Sequence, residues 1–88
     1  MIRRRVVVHG HVQGVFFRDT VQRHALAVGM SGWVRNTSQG TVEAVFEGAA
    51  EVVQALVTLC HKGPSGARVD RVEVFEEEPQ GLAGFSIR

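Results

Sequence analysis

Val6-Val7-Val8-His9-Gly10 and, after a short glycine-containing loop, Asp19-Thr20-Val21-Gln22-Arg23-His24-Ala25-Leu26-Ala27-Val28-Gly29-Met30 are neighbouring stretches with different hydrophobic periods. Three β-branched residues in a row fit a pleated, half-buried surface, and the glycine closes the run, so the first stretch predicts a strand. In the second, Val21, Ala25 and Val28 recur at helical spacing, Asp19 or Thr20 is placed to cap the start, and Gly29 suits the left-handed turn that ends a helix. A strand feeding a helix opens several fold classes, and the elements further along decide among them.

Trp33 to Thr37 and Thr41 to Glu47 alternate polar and apolar residues, with hairpin turn chemistry in Ser38-Gln39-Gly40 between them. Gly48 breaks the third strand. From Ala49 to Lys62, Val53, Leu56, Val57 and Cys60 form the stripe of an amphipathic helix. Glu51 lies in its first turn, His61 and Lys62 in its last, and Gly63-Pro64 stops it, as the helix dipole and capping geometry favour. Arg68 to Glu76 alternates again, with Val69, Val72 and Val74 prominent. A short fifth strand, Phe85 to Ile87, follows a Glu76-Glu77-Glu78-Pro79 turn.

The order β-α-β-β-α-β predicts an α+β fold, the ferredoxin-like sandwich, with an antiparallel sheet and two helices on one face. A Rossmann half would need G-x-G-x-x-G with a following acid, and an all-β barrel cannot house two helical stripes.

At 88 residues, 44% hydrophobic and 22% charged, the chain has the size and composition of one domain, 1–88, around one core. Its net charge of +1 hides two opposite parts. Through Arg35 the sequence holds Arg3, Arg4, Arg5, Arg18, Arg23 and Arg35 against Asp19, and the remainder sets four cations against eight acids. This implies a local anion site rather than a globally basic protein. The single Cys60 forms no intramolecular disulfide, which points to a reducing, cytoplasmic compartment. Val6 to Val8 is too short an apolar run for a secretory leader or a membrane span, so neither membrane attachment nor glycosylation at Asn36-Thr37-Ser38 is expected.

The stretch Gly10-His11-Val12-Gln13-Gly14-Val15-Phe16-Phe17-Arg18 lies between the first strand and the first helix. Two glycines four apart permit a tight turn with positive φ, so successive amide N–H groups can converge on one anion. The helix that follows adds unpaired N–H groups and its positive dipole end. Arg18 adds a planar guanidinium able to bind two phosphate oxygens at once. Spacing alone also leaves open an ordinary glycine turn beside a solvated arginine. No Gly-Lys-Ser/Thr follows, so this is not a Walker A loop.

Gly10-x-Val12-Gln13-Gly14-Val15-x-Phe17-Arg18 resembles the first signature of the acylphosphatases, and Gly32-Trp33-Val34-Arg35-Asn36-x-x-x-Gly40-x-Val42-Glu43 resembles the second. The resemblance covers nearly the whole chain, including the Phe85-Ser86-Ile87 ending. It implies the same ferredoxin-like fold and hydrolysis of carboxyl-phosphate bonds in small acyl phosphates, with no metal and no cofactor. It assigns the essential arginine to Arg18, the essential asparagine to Asn36, and the phosphate-binding loop to His11, Val12, Gln13, Gly14 and Val15. The position before Gly40, often Asp or Asn in that family, is Gln39 here. That departure falls in the turn and touches hairpin geometry only.

An acyl phosphate carries a good leaving group, so its hydrolysis asks for neutralised phosphoryl oxygens and a placed water. Arg18 and the loop amides suit the first need, and the Asn36 amide suits the second. No protein general base stands out, and the resemblance implies that a substrate phosphate oxygen takes the proton. His9 and His11 fall short of a zinc ligand set, His24 and His61 lie on helices, and Cys60 belongs to an apolar stripe. Trp33 and the Phe16-Phe17 pair read as core and loop anchors, Glu76 to Glu78 as a solvated turn, and the remaining amino-terminal arginines as background steering.

RNA recognition is a rival use of the same element order, but the first strand has no aromatic residue and the third only Phe46. A regulatory domain that binds a phosphorylated ligand is a second rival. The signature also occurs at the amino end of a larger hydrogenase-maturation protein that handles carbamoyl phosphate. A chain ending at Arg88 favours a free-standing enzyme, and the absence of a second apolar helix face favours a monomer.

Overall fold

A computed structural model describes residues 1–88, in the order β1 (Ile2–His11), α1 (Phe17–Ala27), β2 (Ser31–Asn36), β3 (Val42–Gly48), α2 (Ala50–Lys62), β4 (Arg68–Glu77) and β5 (Phe85–Ile87). The strands form one sheet in the order β4-β1-β3-β2-β5. β1 runs antiparallel to both β3 and β4, and β2 antiparallel to β3. β5 pairs with β2 in parallel, so the sheet is mixed rather than wholly antiparallel. The cause is connectivity: β4 finishes at the end of the sheet where β2 starts, so a chain crossing there must run alongside β2.

Period-2 alternation divides each strand between two faces. Val6, Val8, Val34, Val42, Ala44 and Phe46 join Phe17, Val21 and Ala25 of α1 and Val53, Leu56, Val57 and Cys60 of α2 in a single buried cluster. Both helices therefore cover the same face, as the two apolar stripes predict.

The opposite face is where the structure departs most from expectation. β1 starts at Ile2, so Arg3 to Arg5 belong to the strand. Arg3 is only 6% exposed, with Nη1 donating to Glu47 Oε2 and Nε to Glu77 Oε1, each at 2.8 Å. Arg5 donates from Nε to Glu77 at 2.9 Å and from Nη1 to Glu43 at 3.2 Å, and Arg35 Nε to Glu43 at 2.6 Å. Arg3, Arg5 and Arg35, read as steering background, are thus held in an ion network, while Arg23 stays exposed on α1 beside Asp19, and Glu77 is a strand residue of that network rather than part of a solvated turn. The basic and acidic parts of the sequence neutralise each other across β2, β1, β3 and β4.

Gly10 does not close β1. It forms a bulge where the β1–β4 register shifts, at φ 133°, and a Cβ there would lie 2.1 Å from the Arg68 carbonyl oxygen. α1 starts at Phe17, two residues before the expected cap. Its N-cap is Phe16, which makes no side-chain capping bond, while Asp19 sits in the first turn and Thr20 is buried. The loop backbone, and not a polar cap, sets where this helix begins. Gly29 takes the expected left-handed conformation just beyond the helix end, at φ 67°.

Phe17 is buried as expected, whereas Phe16 is 80% exposed. Trp33 lies half-buried on the open face beneath the guanidinium groups of Arg88 and Arg35, 4.6 and 5.8 Å from its ring. Neither Phe16 nor Trp33 is a core anchor. No helix is long and apolar enough to cross a membrane.

Candidate active site

Between the end of β1 and the start of α1 the chain must reverse within a few residues. Val12, 1% exposed, fastens the start of this loop in the core, and Gly14 turns it at φ 75°. A Cβ on Gly14 would meet nothing within 4 Å, so the constraint there is backbone conformation rather than space. The amide N–H groups of Gln13, Gly14, Val15 and Phe16 donate to no acceptor within the chain. The first helical bond of α1 runs from Thr20 N–H to Phe16 O at 3.0 Å, so the amides of the first turn also lack a partner one turn back. A run of free donors at a positive helix end is an anion cradle in waiting.

Gln13 ties this loop to the β2–β3 turn: its Nε2 donates to the carbonyl oxygens of Thr37 and Thr41, at 2.8 and 3.0 Å. The two threonine hydroxyls are bonded to each other at 2.6 Å, which closes the turn. Asn36, the last residue of β2, is thereby held beside the loop although far from it in sequence.

Arg18 and Asn36 line one cavity of about 400 Å³, together with Val12, Gly14, Phe16, Phe17, Asp19 and Ile87. Of the nine arginines, seven pair with carboxylates and Arg88 lies over Trp33. Arg18 has neither kind of partner. Its neighbour Asp19 bridges Arg23 one turn on, at 3.2 Å. The Asn36 carboxamide likewise bonds to nothing within the chain while keeping its polar atoms at the surface. An unneutralised guanidinium, an uncommitted amide and a set of free backbone donors around one space can hold a phosphoryl group and a water together.

The other residues expected in the phosphate loop divide by role. Val12 and Gly14 line the cavity, Gln13 turns its side chain to the hairpin, and Val15 packs against the core. His11 is exposed at the end of β1, opposite Arg68, and does not reach the cavity. Phe16, Asp19 and Ile87 were not anticipated there. Phe16 and Asp19 flank the motif's Phe17-Arg18 and could have been included on that ground. Ile87 arrives only through its parallel pairing opposite Val34, which no local pattern announces.

A larger hollow, about 760 Å³, lies over the open sheet face among Arg3, Arg5, Trp33, Arg35, Glu43 and Glu77. Apart from Trp33 these groups are already paired with one another or with Glu47, so the hollow offers little uncommitted charge. The Cys60 thiol is fully buried, and burial pushes its pKa up to about 12, leaving it protonated and inert at neutral pH. No group of three His, Cys, Asp or Glu side chains gathers anywhere to hold a metal ion.

The acylphosphatase family pattern matches residues 4–87. An acylphosphatase of Rubrobacter xylanophilus is 58% identical over 87 residues, spanning 98% of this chain and 79% of that protein. One of Thermococcus kodakarensis is 52% identical over 86 residues, spanning 98% and 94%. The crystal structure of acylphosphatase from Bacillus subtilis superposes with a TM-score of 0.95 at 36% identity, covering 100% of this chain and 99% of that one. Matched over nearly its full length in sequence and in fold, the chain belongs to the acylphosphatase family.

Proposed function

We propose that this enzyme, which acts on small acyl phosphates, works by in-line attack of a water held by Asn36 on a phosphoryl group held by Arg18 and the His11–Val15 loop. The free amides from Gln13 to Phe16 are the loop's donors. The water oxygen bonds to phosphorus as the bond from phosphorus to the acyl oxygen breaks. The carboxylate leaves with the bonding pair, and the water proton passes to a phosphoryl oxygen, giving carboxylate and inorganic phosphate. No protein base enters this scheme, and none of the cavity residues other than Asp19 could serve as one. Donors fixed before the reaction stabilise the charge spread over the phosphoryl oxygens in the transition state.

The observation that carries this reading is that Arg18 and Asn36, both without a partner in the chain, share one cavity beside the unbonded loop amides. The reaction needs no metal in this scheme, because guanidinium and amides supply the positive potential.

The protein acts as a cytoplasmic monomer that binds neither nucleic acid nor membrane. Against RNA recognition stands the open face itself: β1 and β3 present Arg3, Arg5, Glu43 and Glu47 there in ion pairs, while Phe46 is buried towards the helices and cannot stack a base.

Benzoyl phosphate hydrolysis, followed by absorbance with a chelator present, tests the scheme. Turnover should persist, should be competitively inhibited by inorganic phosphate, and should fall by at least about 100-fold in both Arg18→Ala and Asn36→Ala. Turnover abolished by the chelator would remove the metal-free step. Tight, salt-sensitive RNA binding without hydrolysis would favour the nucleic-acid reading.

A further inference from the structure

Phe16 is the only residue other than glycine with positive φ, at φ 63° and ψ 27°. A bulky L-residue is strained in that left-handed region. Phe16 is also 80% exposed, so although its carbonyl accepts the first bond of α1, its ring gains little burial within the fold to offset that cost. Strain and exposure coincide at a residue that lines the cavity shared by Arg18 and Asn36. Ile87, the other exposed apolar residue of that cavity, is 39% exposed and comes from the opposite end of the chain. Backbone strain at a ligand-binding loop is most simply explained by what it presents to the ligand.

We propose that Phe16, with Ile87 as a second wall, forms the platform for the acyl group and makes the enzyme select aromatic and larger aliphatic acyl phosphates over small ones. The proposal rests on the assignment of the phosphoryl group to Arg18 and the loop. With that group fixed, in-line displacement puts the acyl oxygen on the far side of phosphorus from the attacking water. The rest of the acyl group then extends along the cavity wall, where Phe16 and Ile87 are the exposed apolar surface. An aromatic acyl group covers that surface and removes it from water, while acetyl or carbamoyl is too short to do so.

The test is the ratio of kcat/KM for benzoyl phosphate to that for acetyl phosphate in the wild type, Phe16→Asn and Phe16→Gly. Both replacements tolerate the left-handed conformation, so the loop and its amides keep their shape. The ratio should fall by about 10-fold in both, chiefly through a higher KM for benzoyl phosphate, and Phe16→Leu should recover part of it. A purely structural role would lower both substrates alike. A ratio within about twofold of wild type in Phe16→Asn, with both substrates still turned over, overturns the platform while leaving the phosphoryl assignment standing. A wild type that hydrolyses neither substrate contradicts the underlying scheme instead.

Discussion

Gln13 and Arg18 lie in the same loop-and-helix start, and their polar groups are committed in opposite ways. Both bonds made by the Gln13 amide go to hairpin carbonyls, whereas the Arg18 guanidinium is left open to the cavity. Gln13→Leu should therefore lower kcat/KM for benzoyl phosphate by about 10-fold, because the carbonyls of Thr37 and Thr41 keep only their backbone donors and the loop is released from the hairpin that carries Asn36. Gln13→Glu should be worse still, since it sets a carboxylate against those carbonyl oxygens; steady-state kinetics on both variants checks the order. Gly10→Ala places a methyl 2.1 Å from the Arg68 carbonyl at a φ closed to alanine, and should lower the unfolding free energy by about 2–4 kcal/mol in a urea titration. At this scale residue type and spacing pick out Gly10, Gly14 and Arg18, whereas Asn36 enters only through the family resemblance, because a lone asparagine at a strand end carries no local signal of its own. The Gln13 clamp was not, because its partners are main-chain oxygens of a distant turn and leave no trace in side-chain identity.

Among the elements, the two helical stripes and the alternation of β3 and β4 were readable because one face of each is apolar. β1 extends well beyond its valine run at both ends, from Ile2 to His11. An arginine on a strand is indistinguishable from a solvated one until the facing strands are known, and Arg3 and Arg5 meet their acids only across β3 and β4. Glu47 is the centre of that layer. Its carboxylate accepts from Arg3 and from the amides of Gln80, Gly81 and Leu82, so it also fastens the segment leading to β5 and Ile87. Glu47→Ala should cost about 3–5 kcal/mol by urea unfolding, since it leaves Arg3 buried with only Glu77. Burial alone would raise the Glu47 pKa, but the bonds from Arg3, Gln80 and Leu82 outweigh it and hold the pKa below the ordinary carboxylate range. Bonds from Arg3 and Arg5 lower Glu77 likewise. The unfolded chain therefore takes up protons at a higher pH than the folded one. The stabilisation from these carboxylates is complete above the unfolded pKa of about 4.3 and is lost as pH falls through the lower folded values. The urea midpoint should hold steady between about pH 7 and 6 and drop steeply below about pH 4, with a shallower drop in Glu47→Gln.

For the molecule as a whole, the sequence splits into a basic and an acidic part, and folding sets one against the other. Only Arg18 keeps its charge without a carboxylate or aromatic partner among the arginines, so the molecule should attract its anionic substrate at short range. Raising ionic strength from about 20 to 200 mM should then change kcat/KM less than about threefold, whereas an unpaired Arg3 to Arg5 surface would give a steep decline. The mixed sheet edge was not legible in the sequence, because the direction of β5 depends on where β4 ends and not on any residue in β5. The central claim is the division of labour between Arg18 and Asn36. It is tested most directly by measuring, in Arg18→Ala and Asn36→Ala, both kcat for benzoyl phosphate and the inhibition constant of inorganic phosphate. Arg18→Ala should weaken phosphate binding by at least about 10-fold, while Asn36→Ala should lose at least about 100-fold in kcat with phosphate binding within about threefold of wild type. An Asn36→Ala enzyme that turns over normally, or that loses phosphate as badly as Arg18→Ala, would contradict the assignment of the water to Asn36.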